Sequence, residues 1–349
     1  MKKLLLIVIS ILPFFICGGF PPQKPKTKFI VMFYNLENLF DTIDNPLTKD
    51  DEYIPSGVKY WTPYRYKTKL QHIRQVICAV DYTNYPDIIG VCEVENKKVL
   101  EDLISRPPLK KAGYKIFHRE SLDRRGIDNA VLYNPETFKI LDTNILRINF
   151  KNDPEYHTRD IIYVKGIERK SKDTLHIFVN HWPSRYGGQV QTEDLRCAAA
   201  KKLKSTTDSI LKINSSAKIL CIGDFNDTPA DMSMLEFLKA GTYYQNANTD
   251  SLYNIAYYLQ YEKKLWTYAY RLEYDILDQV IVSGQLLKPD NLYINKDEVY
   301  PLKYDFMIKK DDLGYEKPKR TYLGYKYEGG FSDHLPMIIN FSFEKNNRL

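Results

Sequence analysis

Six apolar segments of this sequence each carry, at one end, a side chain that could bind a metal ion, move a proton or hold a phosphate. Any one such residue beside a strand is more typical of a turn or a helix cap. Their recurrence at six separate segments instead favours a common site. The set combines carboxylates, imidazoles and amides: Asn35, Glu93, Asn180, His181, Asp224, Asn226, Asp278, Asp333 and His334.

The chemistry of this set is that of a hard metal ion and a phosphate ester. Carboxylate and amide oxygens without thiolates suit Mg²⁺, Mn²⁺ or Ca²⁺. Two histidines beside such an ion suit hydrolysis of a phosphate ester. The metal neutralises charge, one base activates water, and an acid or the metal assists the leaving oxygen. The residue types alone therefore favour metal-dependent phosphate-ester hydrolysis.

The apolar segments that hold these residues have the composition of β-strands, and strand ends are where a rigid sheet meets a cleft. Predicted strands cover 28–34, 87–92, 129–133, 138–148, 161–167, 174–180, 218–222, 276–283 and 336–343. Predicted helices cover 66–80, 97–105, 193–213 and 232–240. Many strands interspersed with fewer helices predict a mixed α/β fold.

The overall composition is that of an ordinary globular protein. The chain has 349 residues, 44% apolar and 27% charged, which excludes disordered, collagen-like and disulfide-dense classes. Length alone suggests two domains of roughly 150 residues each. However, Asn35 and His334 stand near opposite ends of the chain and must share one site, so we expect a single domain over residues 21–349. The net charge of +6 permits contact with phosphates without demonstrating it.

Residues 1–20 have the pattern of a secretory signal peptide. Two lysines precede an apolar run from Leu4 to Cys17, and small residues follow. The run is shorter than the ~20 apolar residues of a transmembrane helix, and Pro13 interrupts it. We predict that the protein is exported and becomes periplasmic, outer-membrane-associated or extracellular. Plain cleavage is the preferred outcome, with a lipid anchor at Cys17 as the alternative.

Four further cysteines carry no sign of metal or redox chemistry. Cys78, Cys92, Cys197 and Cys221 lack CxxC spacing, which argues against a zinc site or a redox dithiol. An even number in an exported protein permits disulfides, but nothing in the sequence pairs them.

The stretch 286–330 is rich in Tyr, Lys and Gly and contains the basic run KPKR at 317–320. We predict a long, exposed, basic loop region here. Long loops in compact domains are often binding elements.

Eight motifs stand here in a characteristic order: YNLENLFDT, PDIIGVCEVEN, RGIDNAVLYNP, TRDIIYV, VNHWPSR, IGDFNDTP, LDQVIVS and FSDHLP. From Phe33 to Phe343 the chain resembles the endonuclease/exonuclease/phosphatase superfamily, and more closely its secreted members from Bacteroidetes-like bacteria. The resemblance implies a four-layer α-β-β-α sandwich in which helices flank two mixed β-sheets. It places the active site at one edge of the sandwich and implies a divalent metal, Mg²⁺ first and Mn²⁺ or Ca²⁺ next.

The resemblance also implies a metal site and a histidine pair. Glu93 is expected to be the principal metal ligand, with Asn35 beside it and Asp333 completing the site. His334 is expected to be the base or the imidazole that stabilises the phosphate. Asp278 would orient that ring and favour its charged form.

The remaining expected roles concern the phosphate. Asp224 and Asn226 would line it and position the attacking water or a second metal. His181 would be the second imidazole on the scissile phosphate. Arg159 and Asn180 are expected to bind substrate.

Three departures leave the substrate open. Gln279 follows Asp278, where nucleases of the family often carry an arginine. Glu37 and Glu95 are additional carboxylates near the expected metal ligands, and each could either support the site or cap a loop.

From the sequence we predict a nuclease-like phosphodiesterase that acts on DNA or RNA. No stable protein partner is implied. Mild basicity, the KPKR run and abundant tyrosines that could stack on bases favour this substrate. The alternatives are a phosphomonoesterase or a diesterase for phospholipid or sugar-phosphate substrates, and, less favoured, a non-catalytic cell-surface binding module.

Overall fold

The computed structural model describes residues 28–81, 84–150 and 153–344. The predicted signal peptide and Cys17 lie outside these residues, so export and lipidation stay predictions. None of the helices described is both long enough and apolar enough to cross a membrane.

The described chain alternates strands with a small number of helices. The strands are β1 (Phe29–Leu39), β2 (Ile88–Val94), β3 (Lys115–His118), β4 (Asp128–Tyr133), β5 (Phe138–Leu146), β6 (Ile161–Glu168), β7 (Thr174–His181), β8 (Lys218–Asp224), β9 (Leu252–Asn254), β10 (Tyr268–Tyr270), β11 (Glu273–Asp275), β12 (Asp278–Ser283), β13 (Leu292–Pro301), β14 (Ile308–Lys310), β15 (Glu316–Pro318), β16 (Tyr322–Leu323), β17 (Lys326–Tyr327) and β18 (Met337–Phe343). The α-helices are α1 (Pro63–Ala79), α2 (Lys97–Ile104), α3 (Gln189–Ile213) and α4 (Ile255–Tyr261). A single π-helical segment spans Ser233–Leu238 in the described chain.

Two mixed sheets contain most of these strands. The first has the order β13-β18-β1-β2-β4-β3, and the second has the order β5-β6-β7-β8-β12-β9. Each sheet has one parallel pair at its centre, β1–β2 in the first and β7–β8 in the second. Three two-stranded hairpins, β10–β11, β14–β15 and β16–β17, lie outside the sheets. The predicted mixed α/β sandwich is confirmed.

Alternating side chains of β1 show how the layers are held together. Val31 and Phe33 belong to the apolar core that the two sheets share. Met32 and Tyr34 belong instead to the core between the first sheet and helix α1. Both faces of this strand are therefore buried, which explains its nearly unbroken apolar sequence.

Helix α3 covers the outer face of the second sheet. Its Ala199 and Leu203 pack in one cluster with Ile219 and Cys221 of β8. Helices α1 and α2 cover the first sheet in the same way. The order of layers is thus helix, sheet, sheet, helix.

The strand directions bring the candidate residues to one edge of the sandwich. The parallel strands β1 and β2 run past Asn35 and Glu93 near their carboxyl ends, whereas β7 and β8 end at His181 and Asp224. Strand β12 is antiparallel to β8, so its first residue, Asp278, lies opposite Asp224. The segment that holds His334 enters β18 at the corresponding edge of the first sheet.

The prediction of one long loop over 286–330 was wrong in part. Residues Leu292–Pro301 form β13, which pairs with β18 at an edge of the first sheet. The pairing register shifts between Ile294 and Val299, and this irregularity interrupts the alternation by which a strand is recognised in sequence. The rest of the stretch folds into the β14–β15 and β16–β17 hairpins.

Candidate active site

Two imidazoles converge on one buried carboxylate. Nε2 of His181 and Nε2 of His334 each lie 3.8 Å from Oδ2 of Asp224. His181 is the last residue of β7 and Asp224 the last of β8, and the two are paired in register. The sheet therefore fixes the separation of these groups, and a phosphate held between the rings would meet both.

Asp278 holds the ring of His334 from behind. Its Oδ2 lies 2.7 Å from Nδ1 of His334, and the carboxylate is completely buried. Thr267 secures this corner because its hydroxyl oxygen accepts the backbone N–H of Asp278 at 3.3 Å. The ring of Tyr268 packs against His334 with centroids 4.8 Å apart. The imidazole is thus fixed in orientation, with Nε2 directed towards the cleft.

The environment separates the protonation behaviour of the two histidines. Burial disfavours the charge of His334, but Asp278 and Asp224 outweigh burial and raise its pKa well above the usual value. Burial, together with Arg159 and Arg125, lowers the pKa of His181 well below its usual value. At neutral pH one ring is an imidazolium and the other is neutral.

The pKa of Asp224 is also shifted from its usual value. Burial raises the pKa of Asp224 to about 7, against the opposing effect of His334. A carboxylate with a pKa near the working pH is suited to accept and release a proton.

Asn35 forms hydrogen bonds to carboxylates of both sheets, Glu93 of β2 and Asp224 of β8. Its Nδ2 donates to Oε1 of Glu93 at 3.2 Å and to Oδ2 of Asp224 at 3.1 Å. Its Oδ1 accepts the backbone N–H of Glu37 at 2.9 Å. In this arrangement Asn35 orients two carboxylates, and its expected role as a metal ligand stays a prediction.

The backbone of Glu93 has an unusual, left-handed conformation. Its φ is +59°, and Glu37 and Asn38 on β1 also have positive φ values, of 47° and 53°. The β1–β2 register shifts between Asn35 and Leu39 at the same place. The N–H of Asn38 donates to Oε2 of Glu93 at 2.8 Å. Left-handed conformations at such residues cost energy and occur preferentially at functional sites.

Asp333 lies at the cleft beside Arg320. Nη2 of Arg320 donates to Oδ2 of Asp333 at 2.7 Å. Burial disfavours the charge of Asp333, but His334 and Arg320 outweigh burial and lower its pKa. The lowered pKa favours the ionised form of Asp333 at neutral pH.

The donor set fits a hydrated hard cation. The side chains of Glu93 and Asp333 are 15% and 23% exposed, whereas those of Asp224 and Asp278 are nearly or fully buried. Among the described residues, no three or more His, Cys, Asp or Glu side chains are arranged as a ready-made metal cage. Mg²⁺ usually keeps several waters and needs one or two carboxylates plus substrate oxygens. The residues present match that requirement.

Asn226 and Arg159, both expected to act on the phosphate or substrate, form hydrogen bonds within the protein, and those expected roles stay predictions. Asn226 has a φ of +53°, and its Nδ2 donates to the carbonyl oxygen of Trp182 at 2.9 Å. Arg159 is buried and donates to that same carbonyl oxygen and, at 3.2 Å, to Asp123. Nε of Arg159 has no hydrogen-bond partner among the described residues. Both side chains brace the turn that follows His181.

Asn180 does not reach the cleft. Its Nδ2 donates to the carbonyl oxygens of Phe178 and Ile222, at 3.3 and 3.2 Å, and its Oδ1 accepts Nε1–H of Trp182 at 3.1 Å. All of its polar atoms are therefore engaged within the sheet, and the structure places it among residues that position the site.

Gly223 lets strands β7 and β8 approach closely at Asn180. A Cβ on Gly223 would lie 2.3 Å from the backbone oxygen of Asn180. We expect Gly223→Ala to lower the free energy of unfolding by at least about 1–3 kcal/mol, the usual cost of overpacking, and to reduce hydrolysis because Asp224 is displaced. Urea denaturation and steady-state kinetics measure the two effects. Unchanged stability and activity would contradict the close β7–β8 packing described here.

A buried ion pair between Glu37 and Lys69 holds the loop at Thr321, and the sequence did not predict it. Oε2 of Glu37 accepts the backbone N–H of Thr321 at 2.6 Å, so Glu37 caps the loop. Nζ of Lys69, on α1, donates to Thr321 and to the carbonyl oxygen of Phe331 and lies 3.6 Å from Glu37. The position of Glu37 two residues after Asn35 was the only signal in the sequence.

Comparison with known proteins identifies a family and several structures of similar fold. The sequence profile described as the endonuclease/exonuclease/phosphatase family matches residues 30–343. The human nocturnin catalytic domain with bound sulfate is 18% identical, with a TM-score of 0.54 over 91% of this chain and 96% of that chain. D. rerio TDP2 complexed with a single-strand DNA product is 14% identical, with a TM-score of 0.55 over 91% of this chain and 100% of that chain.

A bacterial phosphatase has the same fold. The mannosyl-6-phosphatase of Bacteroides thetaiotaomicron is 15% identical, with a TM-score of 0.55 over 90% of this chain and 100% of that chain. Comparison with curated protein sequences finds no match. At these identities the solved structures establish the likeness of fold.

Proposed function

Because this chain belongs to the endonuclease/exonuclease/phosphatase family, whose members hydrolyse phosphoric esters, we propose that it is an exported, divalent-metal-dependent phosphoesterase. The observation that carries this proposal is the convergence of two imidazoles on one carboxylate. His181 and His334 both lie 3.8 Å from Asp224, and Asp278 fixes the His334 ring. The substrate phosphate would sit between the two rings.

Asp224, His334 and His181 would each have a different role in the reaction. Asp224 would accept a proton from the attacking water, since burial raises its pKa to about 7. His334, kept protonated by Asp278, would stabilise charge on the phosphoryl group or donate to the leaving oxygen. His181, neutral at the same pH, would hold a phosphate oxygen through a ring N–H.

Glu93 and Asp333 would hold the divalent ion. Mg²⁺ is the proposed ion, with Mn²⁺ or Ca²⁺ as alternatives, because the site offers carboxylate oxygens and no thiolate. A bound ion of this kind would neutralise negative charge on the phosphate ester. Asn35 supports this arrangement by fixing the orientation of Glu93.

For the substrate, the sequence favoured a nucleic-acid phosphodiester, and the TDP2 neighbour complexed with single-strand DNA product supports that class. A small sugar phosphate is the second candidate. It is supported by the mannosyl-6-phosphatase neighbour and by the pairing of charges beside the cleft. Within the KPKR run, Lys317 lies 3.1 Å from Asp311 and Arg320 lies 2.7 Å from Asp333, so part of its charge is compensated. The non-catalytic alternative is disfavoured because the two histidines and their carboxylates converge.

Metal removal tests the proposed function. We expect purified protein with Mg²⁺ to hydrolyse at least one member of a panel of plasmid DNA, RNA, bis-p-nitrophenyl phosphate, p-nitrophenyl phosphate and glucose 6-phosphate. EDTA should abolish this turnover and added Mg²⁺ should restore it, because the charge neutralisation that the ion would supply to the phosphate is lost without it. Turnover that is unaffected by EDTA, or none with any ester, would contradict the proposal.

Export is proposed from the N-terminal sequence alone. Mass spectrometry of the mature protein tests it, since cleavage near residue 20 and lipidation of Cys17 give different masses. An intact Met1 in the mature protein would contradict both outcomes.

A further inference from the structure

Large apolar side chains are exposed on two segments of the chain near the candidate active site. The first segment, residues 57–67, leads into helix α1 and forms its first turn, and the second, residues 317–328, contains the β16–β17 hairpin. Five of their apolar side chains are between 56% and 76% exposed: Val58, Tyr60, Tyr64, Leu323 and Tyr325. Scattered apolar side chains on a surface need no explanation, whereas a continuous patch marks a binding surface.

The two segments contact each other at the tip of the hairpin. Nζ of Lys59 donates to the carbonyl oxygen of Gly324 at 3.4 Å and lies 5.4 Å from the centre of the Tyr325 ring. The hydroxyl of Tyr322 donates to the carbonyl oxygen of Lys59 at 3.0 Å. The hairpin tip is therefore held against the chain on both sides of Lys59, where Val58 and Tyr60 are exposed.

The base of the hairpin is held against the first turn of α1. The guanidinium of Arg65 lies 4.3 Å from the centre of the Tyr327 ring. Nη1 of Arg65 also donates to the hydroxyl of Tyr322 at 3.4 Å. These contacts join the two segments into one surface, which we call the docking surface and define by its exposed apolar residues Val58, Tyr60, Tyr64, Leu323 and Tyr325.

The docking surface is surrounded by positive charge. Residues 57–67 contain three basic residues and no acidic one, and residues 317–328 contain four basic residues and one acidic one. Lys67 and Lys326 are exposed. Glu328 pairs with Lys326 at 2.6 Å and Glu52 pairs with Lys59 at 3.4 Å, but basic residues still outnumber acidic ones here.

Apolar side chains within a basic surface match an anionic lipid bilayer. Tyrosine is favoured where a bilayer meets water, because its ring is apolar and its hydroxyl is polar. Aliphatic side chains such as those of Val58 and Leu323 are stabilised at the boundary with the acyl chains, and lysines are attracted to anionic headgroups. A nucleic-acid strand is a poorer match, because these two side chains offer no aromatic face to a base.

The docking surface adjoins the candidate active site. Arg320, two residues before Tyr322, donates to Asp333 at 2.7 Å, and Leu323 lines one pocket together with Asp333. The backbone N–H of Tyr322 donates to Glu37 at 3.2 Å. A membrane that contacts this surface would therefore lie beside the cleft.

We propose that the docking surface binds the surface of a bilayer that contains anionic phospholipid. Leu323 and Val58 enter the interface, the exposed tyrosines lie at the level of the headgroups, and Lys67 and Lys326 contact their phosphates. This inference goes beyond the proposed function, because it assigns an interaction surface and does not depend on hydrolysis.

Vesicle flotation tests the proposal. The exported protein is purified in a Cys17→Ala background, so that no lipid on this residue contributes to binding. It is mixed in EDTA with vesicles of phosphatidylcholine alone or of equal parts phosphatidylcholine and phosphatidylglycerol. We expect flotation with the anionic vesicles and much less with the neutral ones. Raising NaCl from about 0.1 M to about 1 M should weaken binding, because the screening length falls from ~10 Å to ~3 Å.

Two apolar substitutions on the docking surface are compared with two elsewhere. The Val58→Ser, Leu323→Ser double variant is expected to lower the vesicle partition coefficient by about tenfold or more, because two aliphatic side chains no longer enter the interface. The control is the Leu141→Ser, Ile213→Ser double variant. Leu141 on β5 and Ile213 at the end of α3 are 46% and 88% exposed and lie outside the docking surface, so we expect no change.

A second pair of variants tests the charges. Lys326→Gln is expected to weaken binding to the anionic vesicles by about fivefold, the effect of one lysine near a charged bilayer. Lys212→Gln, which removes an exposed lysine at the far end of α3, is the control and should have no effect.

The outcomes decide between the lipid surface and other partners. No flotation with anionic vesicles, or equal losses in the two double variants, would overturn the proposal. Binding of a single-stranded oligonucleotide, or self-association, that Val58→Ser with Leu323→Ser abolishes in a protein that does not float would assign the surface to that partner instead.

The same experiment is independent of the proposed hydrolysis. Flotation that depends on Leu323, in a protein that hydrolyses no ester, would support the docking surface and overturn the phosphoesterase. Hydrolysis of p-nitrophenyl phosphate without flotation would overturn the docking surface and leave the phosphoesterase standing.

Discussion

Replacement of His334 by alanine is expected to lower kcat for phosphate-ester hydrolysis by roughly 10²–10⁴-fold, the range that general acid–base groups contribute. The substitution removes the imidazole that Asp278 holds at 2.7 Å and whose Nε2 faces Asp224. It also leaves Asp278 buried without its partner, so some loss of stability accompanies the loss of activity.

A matched control separates chemistry from folding. His176→Gln removes a half-buried histidine of β7 whose Nδ1 contacts the hydroxyl of Tyr163 at 2.8 Å and which lies outside the site. We expect near-normal kcat for this control. Circular dichroism and thermal melting should show His334→Ala folded at the assay temperature. A folded His334→Ala enzyme with wild-type kcat would exclude His334 from the reaction.

Replacement of Glu93 by alanine is expected to reduce kcat/KM by roughly 10²–10³-fold, because a metal ion supplies several kcal/mol of charge stabilisation in the transition state and each 1.36 kcal/mol corresponds to a factor of ten. Glu93→Gln, which keeps the shape of the side chain, should show the same loss. Both variants should need a higher Mg²⁺ concentration for half-maximal activity, and a Mg²⁺ titration of the rate measures that shift.

Glu95→Gln is the control for Glu93. Glu95 lies two residues further along the chain and accepts the backbone N–H of Asp41 at 2.5 Å. Burial raises the pKa of Glu95 to about 8, so the neutral amide resembles the form that predominates at pH 7. We expect the Mg²⁺ dependence to stay unchanged in this variant. An equal shift in both positions would contradict the assignment of Glu93 as the ligand.

The central strands could be predicted because their sequences are dictated by burial on both faces. The predicted strand at 218–222 is observed as Lys218–Asp224, and the one at 336–343 as Met337–Phe343. Each lies inside a sheet and is almost continuously apolar. Edge strands carry a weaker signal because they are partly exposed, and in β13 the register shift between Ile294 and Val299 weakens the signal further.

The histidine cluster could also be predicted from the sequence. His181 and His334 each follow or precede an apolar strand, and the family resemblance placed both at the phosphate that Asp224 would line. In the structure both rings lie 3.8 Å from Asp224, and their catalytic roles stay predictions. Asn180 has the same sequence signal but is directed into the sheet, because a residue one position earlier on a strand points to the opposite side.

Interactions between distant loops could not be predicted. Lys69 reads as a solvated helical lysine, yet it is buried against Thr321 and Phe331. Lys309 and Lys317 of the β14–β15 hairpin line one pocket together with Asp333. Neither contact has a periodic pattern in the sequence, because both arise from long-range packing of irregular segments.

The position of β18 between β1 and β13 has a consequence for biosynthesis. Phe341 of β18 pairs with Phe29 of β1, so the first described strand acquires one of its neighbours only after nearly the whole described chain has been made. Contacts of such long range slow folding and leave strand edges unpaired in the meantime. A nascent chain therefore stays open, and catalytically silent, until its last strand arrives. A truncation that removes β18 would leave β1 and β13 with exposed edges, and we expect such a product to aggregate.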